Sequence, residues 1–212
     1  MNKQNTKKPT YHHGDLYNAL LTEAADVIKQ HGLDALSLRK LAKKCQVSSA
    51  ALYRHFTDKN ALVLAVIKRG YELLQQNLNS IIKTRGDDTI ACLKGLENSY
   101  IKFAQQHQNF FYIMYNNSLA TKYAEQLNDI TNEVYELVKQ QIIKGIKNKI
   151  FRNDDPDIIT FSMWAYLHGI TMLMLQGKAK NLITTTTKSF VDHLMEYLYT
   201  GITPTNQGEK HD

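Results

Sequence analysis

Apolar residues in this chain recur at three- and four-residue spacing from one end to the other, and nowhere do they alternate as a half-buried strand requires. That periodicity restricts the fold to an all-α architecture. Asp15 to His31 carries Leu16, Ala19, Leu20, Ala24, Val27 and Ile28 on one stripe and stops at Gly32, which suits a helix C′ position. Lys59 to about Ile82 reads as one long helix through Leu62, Val66, Leu74 and Leu78, closed by the polar stretch KTRGDD. Thr89 to His107 is a further helix, followed by HQNFFYIMYN, too apolar to be exposed. A long helix is expected from about Leu119 to Lys149. Another starts at Asp155 and Pro156, proline being favoured in a first turn, and runs to Gly177; the last spans about Thr185 to Tyr199. No internal repeat is present.

Between the first and the long helix lies SLRKLAKKCQVSSAALYRHF, Ser37 to Phe56. Leu38, Leu41, Ala42 and Cys45 form one helical stripe behind Ser37 as N-cap, with Arg39, Lys40, Lys43 and Lys44 facing water. Ser48 caps a second short helix whose inward residues are Ala51, Leu52 and Phe56, leaving Ser49, Ala50, Tyr53, Arg54 and His55 outside. Small residues at a helix start allow close approach to base edges, while tyrosine and basic side chains reach sugars and phosphates. The pair is a helix-turn-helix with its recognition helix second, followed by Asp58 as the next N-cap and Lys59 beside the same surface.

Charge follows the same division. The chain carries a net +6, but residues 1–70 hold 12 basic against 5 acidic side chains and the remainder 14 against 15. The positive excess sits with the helix-turn-helix, as phosphate neutralisation requires. The basic leader MNKQNTKKPT reads as a flexible arm over residues 1–12, either lying along DNA or serving as a solubilising tail; it lacks the apolar core of a secretory signal. Cys45 and Cys92 stand 47 residues apart without metal-ligand spacing, and His12 and His13 have no third ligand nearby, so no metal or cofactor is expected. A reduced, cytoplasmic chain fits this cysteine usage. The longest uninterrupted apolar run, Ala61 to Ile67, is far short of the roughly 20 residues that span a bilayer, so no membrane partner is expected.

The first 70 residues closely resemble the DNA-binding domain of the TetR family of bacterial transcriptional regulators. The family's Leu-Tyr-x-His-Phe close with a following lysine stands here as Leu52, Tyr53, Arg54, His55, Phe56 and Lys59, and the run from Tyr11 to Ala42 resembles a subgroup with Tyr-His-His-Gly before the first helix. Tyr17 and Asn60 depart from the commonest pattern, at positions expected to lie off the recognition surface. The resemblance and the outward face together give Arg39, Ser48, Ser49, Ala50, Tyr53, Arg54, His55 and Lys59 as the DNA-contacting set, with Arg54, His55 and Lys59 on phosphates. Further on, Trp164, His168 and Gly169 resemble the Trp-His-Gly signature of one class of TetR C-terminal domains, which implies a small-molecule-binding helical domain that pairs with a second copy through its last two long helices.

The aromatic and methionine residues Phe103, Phe110, Phe111, Met114, Tyr115, Tyr123, Trp164, His168 and Met172 are accordingly expected to line a pocket for a small apolar or amphipathic ligand, with plain core as the alternative for each. His168 is either a hydrogen-bonded buried histidine or a ligand contact. Phe161, Leu175, Phe190, Leu194 and Tyr197 suit a two-fold homodimer interface. The domain plan is a DNA-binding domain over 13–70, a ligand-binding and dimerisation domain over 71–201 and a disordered tail over 202–212. The expected function is a dimeric, operator-binding transcriptional regulator, by family default a repressor released by its ligand. A helical enzyme or small-molecule-binding protein with an incidental basic N-terminus is the alternative, but no HExxH, bundle ExxH, Gly-rich phosphate loop or nucleophile motif supports it. A nonspecific architectural DNA binder would need basic charge beyond Gly70, where it ends.

Overall fold

The computed structural model of the protein describes residues 13–178 and 187–204, and the regular structure within them is entirely helical. The basic leader and the tail from residue 205 lie outside the described residues, as do the side chains of 13–15 and 187–190. In chain order the helices are α1 (His13–His31), a 3-10 turn (Leu33–Ala35), α2 (Leu38–Lys44), α3 (Ser49–Tyr53), α4 (Lys59–Arg85), α5 (Thr89–Gln106), α6 (Gln108–Met114), α7 (Asn117–Lys122), α8 (Ala124–Lys147), α9 (Pro156–Leu175) and α10 (Thr187–Ile202). The all-α expectation and the long helix joining a helix-turn-helix domain to a helical bundle both hold. The single helix expected from Leu119 to Lys149 does not: it breaks at Tyr123, the C-cap of α7 and a buried side chain.

Two compact units divide the chain. Residues to Gly70 together with Asn109–Gln126 form the first, and Tyr71–Gln108 together with the chain from Leu127 forms the second. The polypeptide therefore leaves the first unit after Gly70 and returns to it with α6 and α7, a return for which one boundary at residue 70 makes no provision.

The core of the first unit follows the sequence stripes, with Leu20, Ala24, Leu41, Leu52, Phe56, Leu62 and Val66 all buried, and adds Leu21, which lies outside them. To these α6 and α7 add Phe110, Phe111, Ile113, Met114, Leu119 and Tyr123, also buried. Specific contacts seat the returning helices. Asn109 Nδ2 donates to Asp26 Oδ1 of α1 at 2.9 Å. At the start of α4, Asn60 Oδ1 accepts from Lys122 Nζ at 2.8 Å and from the Tyr123 hydroxyl at 3.2 Å. Gly70 leaves room for Met114, whose Sδ would lie 2.5 Å from any added Cβ.

In the second unit, helix starts follow the capping rules. Asp88 Oδ1 accepts from the Ala91 amide at 3.0 Å to begin α5, and Asp155 Oδ1 accepts from the Asp157 amide at 2.8 Å in front of Pro156 to begin α9. The end of α8 folds back on itself. Ile150 N–H reaches Gly145 O at 2.9 Å and Lys149 N–H reaches Ile146 O at 2.9 Å, with Lys149 left-handed at φ 59°, the two crossed bonds of a Schellman close. The turn lays the buried Phe151 ring directly over Gly145. Arg152 N–H then donates to Ile202 O at 2.8 Å, so Ile202, expected in the tail, instead ends α10 as a buried residue.

Helix α9 is the most apolar of these elements. Among the described residues it alone is long and apolar enough, by length and composition, to cross a membrane, with a window of mean hydropathy 1.5 of which 33% is buried. Isolated polar residues such as Thr160, Ser162 and His168 interrupt its apolar runs without lowering the mean enough to fail that test.

Candidate nucleic-acid interface

The turn between α2 and α3 sets the interface. Val47 N–H bonds Ala42 O at 2.9 Å and Gln46 N–H bonds Lys43 O at 3.1 Å, again a Schellman close, here with Gln46 left-handed at φ 56° where glycine is usual. Ser48 follows as a working cap, its Oγ accepting from the Ala51 amide at 3.1 Å. Ser37 occupies the equivalent position before α2 with no side-chain cap bond, so only one of the two expected serine caps forms. Ser48→Ala should therefore lower the unfolding free energy by about 1 kcal/mol, read from the midpoint of a denaturant titration at unchanged slope.

Helix α3 buries Leu52 and leaves Ser49, Ala50 and Tyr53 exposed; Ser48, Arg54, His55 and Arg39 are exposed as well, and Lys59 is half-buried. The helix proper stops at Tyr53, a turn short of the expected Phe56, and Phe56 enters the core from the following turn. Asp58 Oδ1 then accepts from the Ala61 amide at 2.8 Å, starting α4 with Lys59 in its first turn. One surface thus carries small, hydroxylic, aromatic and cationic groups and no acidic residue within α2 or α3.

Two residues near this surface escaped sequence reasoning. Tyr17, expected off the recognition surface, stacks on Phe56 with ring centroids 5.4 Å apart and leans on His55 at 5.8 Å, so α1 props the end of the recognition segment. Asn60, also expected to be uninvolved, anchors α7 one residue beyond Lys59. An aromatic on the apolar side of α1 was the available signal for Tyr17; for Asn60 there was none.

The nine residues expected to line one pocket are divided between the units. In the first, Phe110, Phe111, Met114 and Tyr123 are buried, and half-buried Tyr115 packs on Phe111 at 4.8 Å between rings. There they complete the core that α6 and α7 bring to the helix-turn-helix. In the second, Phe103 is buried, His168 and Met172 are half-buried and Trp164 is exposed at 42%. His168 Nδ1 lies 2.8 Å from the Tyr100 hydroxyl, and burial pushes its basicity below the usual histidine range, which favours the neutral ring. Trp164 packs against His168 at 6.3 Å and edge-on to Phe161 at 5.7 Å. Of the expected dimer residues, Phe161 and Tyr197 are exposed at 58% and 75%, Leu175 and Leu194 are half-buried, and the Phe190 side chain lies outside the described residues. Ile158, Phe161 and Trp164, at three-residue spacing, make an exposed apolar stripe along α9.

Comparison with known proteins agrees with this geometry. Residues 20–66 match the model of bacterial regulatory proteins of the tetR family, and residues 93–198 match that of the tetracyclin repressor-like C-terminal domain. The chain is 25% identical over 167 residues to the nucleoid occlusion factor SlmA of Enterobacter sp. (strain 638), covering 76% of this chain and 81% of that protein. It is 24% identical over 161 residues to the uncharacterized HTH-type transcriptional regulator YobS of Bacillus subtilis, covering 73% and 76%. A protein of unknown function from Rhodococcus sp. RHA1 shares the fold with a TM-score of 0.79 at 26% identity, over 93% of this chain and all of that one. The helix-turn-helix, the helical second unit and both family matches lead to one conclusion: the chain belongs to the TetR family of bacterial regulatory proteins and is a DNA-binding transcriptional regulator.

Proposed function

We propose that the chain is a ligand-responsive repressor, acting in the cytoplasm as a homodimer on a pseudo-palindromic operator. The observation that carries this reading is the exposed set on and around α3, held by a capped turn in a unit with the excess positive charge. In it Ser48, Ser49, Ala50 and Tyr53 meet bases or the adjoining sugars, Arg54, His55 and Lys59 hold phosphates, and Arg39 reaches in from α2. Two copies place their recognition helices about 34–36 Å apart in successive major grooves.

Dimerisation is assigned to α9 and α10, supported by the exposed Phe161, Trp164 and Tyr197, a quantity of apolar surface that a lone protomer leaves in water. The second unit is assigned to the Trp-His-Gly class on Trp164, His168 and Gly169. Its ligand contacts are Phe103, Trp164, His168 and Met172, with the Tyr100–His168 pair as the polar element that orients a small apolar or amphipathic molecule. Release of DNA then needs a coupling of only about 1–3 kcal/mol between ligand and operator. Membership of a regulatory family weighs against the enzyme alternative.

The test is a titration of the purified protein against the DNA flanking its own gene, with an unrelated duplex as competitor, at two salt concentrations. A dimer-bound site that survives competition supports the reading; equal affinity for both duplexes, falling steeply with salt, opposes it. Within the same assay, Lys59→Ala should weaken binding and reduce the salt slope by about one. Wild-type affinity at every salt concentration would remove Lys59 from the contact set.

The nucleoid occlusion factors favour a second reading, action over the nucleoid rather than at one promoter. Immunoprecipitation of the tagged chain with its chromosomal DNA separates the two, giving sites spread along the chromosome for the second and one or a few for the first.

A further inference from the structure

Glu97 of α5 is 5% exposed, and its Oε1 accepts the Tyr199 hydroxyl of α10 at 2.5 Å, with Tyr199 itself 8% exposed. A carboxylate so buried needs a cation beside it to remain ionised at little cost, and no ion pair to Glu97 is found among the described residues. The groups that reach it electrostatically are Lys94 on its own helix and Asp192 on α10, the second a like charge, while Cys92 faces the Tyr199 phenol. One turn along α5, Tyr100 engages His168 of α9, a half-buried ring that favours its neutral form. Among the described residues, therefore, what compensates a negative charge at Glu97 is one exposed lysine and a phenol that donates a single hydrogen bond.

The position matters because of what α10 is. Val191, Met195, Tyr199 and Ile202 form its buried stripe, and Tyr197 stands exposed on the other side. The Glu97–Tyr199 bond is a polar tie between α10 and α5.

We infer that Glu97 is a proton-operated latch, whose protonated form holds α10 against α5, so that acidification tightens the docking of the last helix. The sign follows from linkage. Burial raises the Glu97 carboxyl to about 7 when α10 is docked, whereas an undocked, solvated glutamate keeps its ordinary value near 4.5. Between these values the docked state binds the extra proton. Lowering the pH through that window favours docking by nearly tenfold per pH unit, and above about 7 both states are ionised and the response levels off. The consequence for DNA rests on the α9–α10 dimer reading: a better-docked α10 gives a stronger dimer and tighter operator binding at mildly acidic pH.

Amide hydrogen exchange of α10 in the full-length protein, corrected for intrinsic rates and measured from pH 5 to 8, tests the latch. The opening equilibrium of α10 should fall by roughly tenfold per unit below about 7 and hold nearly constant above it. In Glu97→Gln, which cannot ionise, the profile should be flat. Tyr199→Phe removes the donor that favours the ionised form, so its midpoint should move upward, a shift that a packing defect alone does not produce. A flat wild-type profile, or a Glu97→Gln profile that parallels the wild type, overturns the proposal; the wild-type measurement decides it even where a variant fails to fold. Operator affinity followed over the same pH range tests the dimer reading separately. An α10 that responds while affinity does not would retain the latch and reject the dimer link.

Discussion

Gly145→Ala should unfold the second unit at a clearly lower denaturant concentration than the wild type, with a loss of about 2–3 kcal/mol. The added Cβ would fall inside contact distance of Cδ2 and Cε2 of the Phe151 ring. That ring is 2% exposed and held by the Schellman close at the end of α8, so it cannot rotate away as a flexible side chain could. Two controls isolate the cause. Gly201→Ala adds the same methyl in α10 where, among the described residues, nothing beyond its own helix backbone and chain neighbours lies within 4 Å, and there the helix-propensity gain of about 0.5–1 kcal/mol should appear instead. Combining Gly145→Ala with Phe151→Leu should recover part of the loss, because the smaller side chain vacates the position that the methyl needs; strict additivity of the two substitutions would contradict the packing account. Equilibrium unfolding in urea reads all three.

Tyr53→Ala should lower operator affinity by about ten- to a hundredfold, corresponding to about 1–3 kcal/mol, while leaving stability within about 0.5 kcal/mol of the wild type. Tyr53 is 46% exposed and its inward neighbour Leu52 keeps α3 in place, so truncation removes contact surface and not core. It carries no charge, so the salt slope should stay at its wild-type value, in contrast to Lys59→Ala. A Tyr53 variant that binds normally would transfer the readout to Ser49, Ala50 and Arg39. One that unfolds would show that the ring supports the helix rather than reading from it.

Tyr53 also marks how far the sequence could be read. Tyr53 was legible as outward because the period of α3 is local: once Ala51, Leu52 and Phe56 face inward, its direction follows, and the structure has it exposed. The same local logic reached Ser48, Asp58 and Asp155, whose caps need nothing beyond the next three residues. It failed where the cause is distant. The apolar period runs unbroken past Tyr123, whose hydroxyl meets Asn60, 63 residues away. Phe110, Phe111 and Met114 looked equally suited to a pocket or a core, and the room left at Gly70 for Met114 belongs to another part of the chain. Glu97 falls on the buried stripe of α5 between Leu93 and Tyr100, but its partner Tyr199 lies 102 residues away. Ser37 is the reverse case, a residue of the right type at a helix start whose side chain does not close the bond.

The return of α6 and α7 to the first unit bears on how such a protein can be taken apart. A fragment ending at Gly70 is an incomplete reading head and not a shortened one: Asp26 and Asn60 lose the partners that Asn109, Lys122 and Tyr123 supply, and the space beside Gly70 loses Met114. An exchange of operator specificity between this chain and a relative therefore has to transplant two separated stretches, 1–70 and 109–126, as one graft. Insertions are better placed outside them, since lengthening the chain inside either stretch alters the spacing on which the other depends.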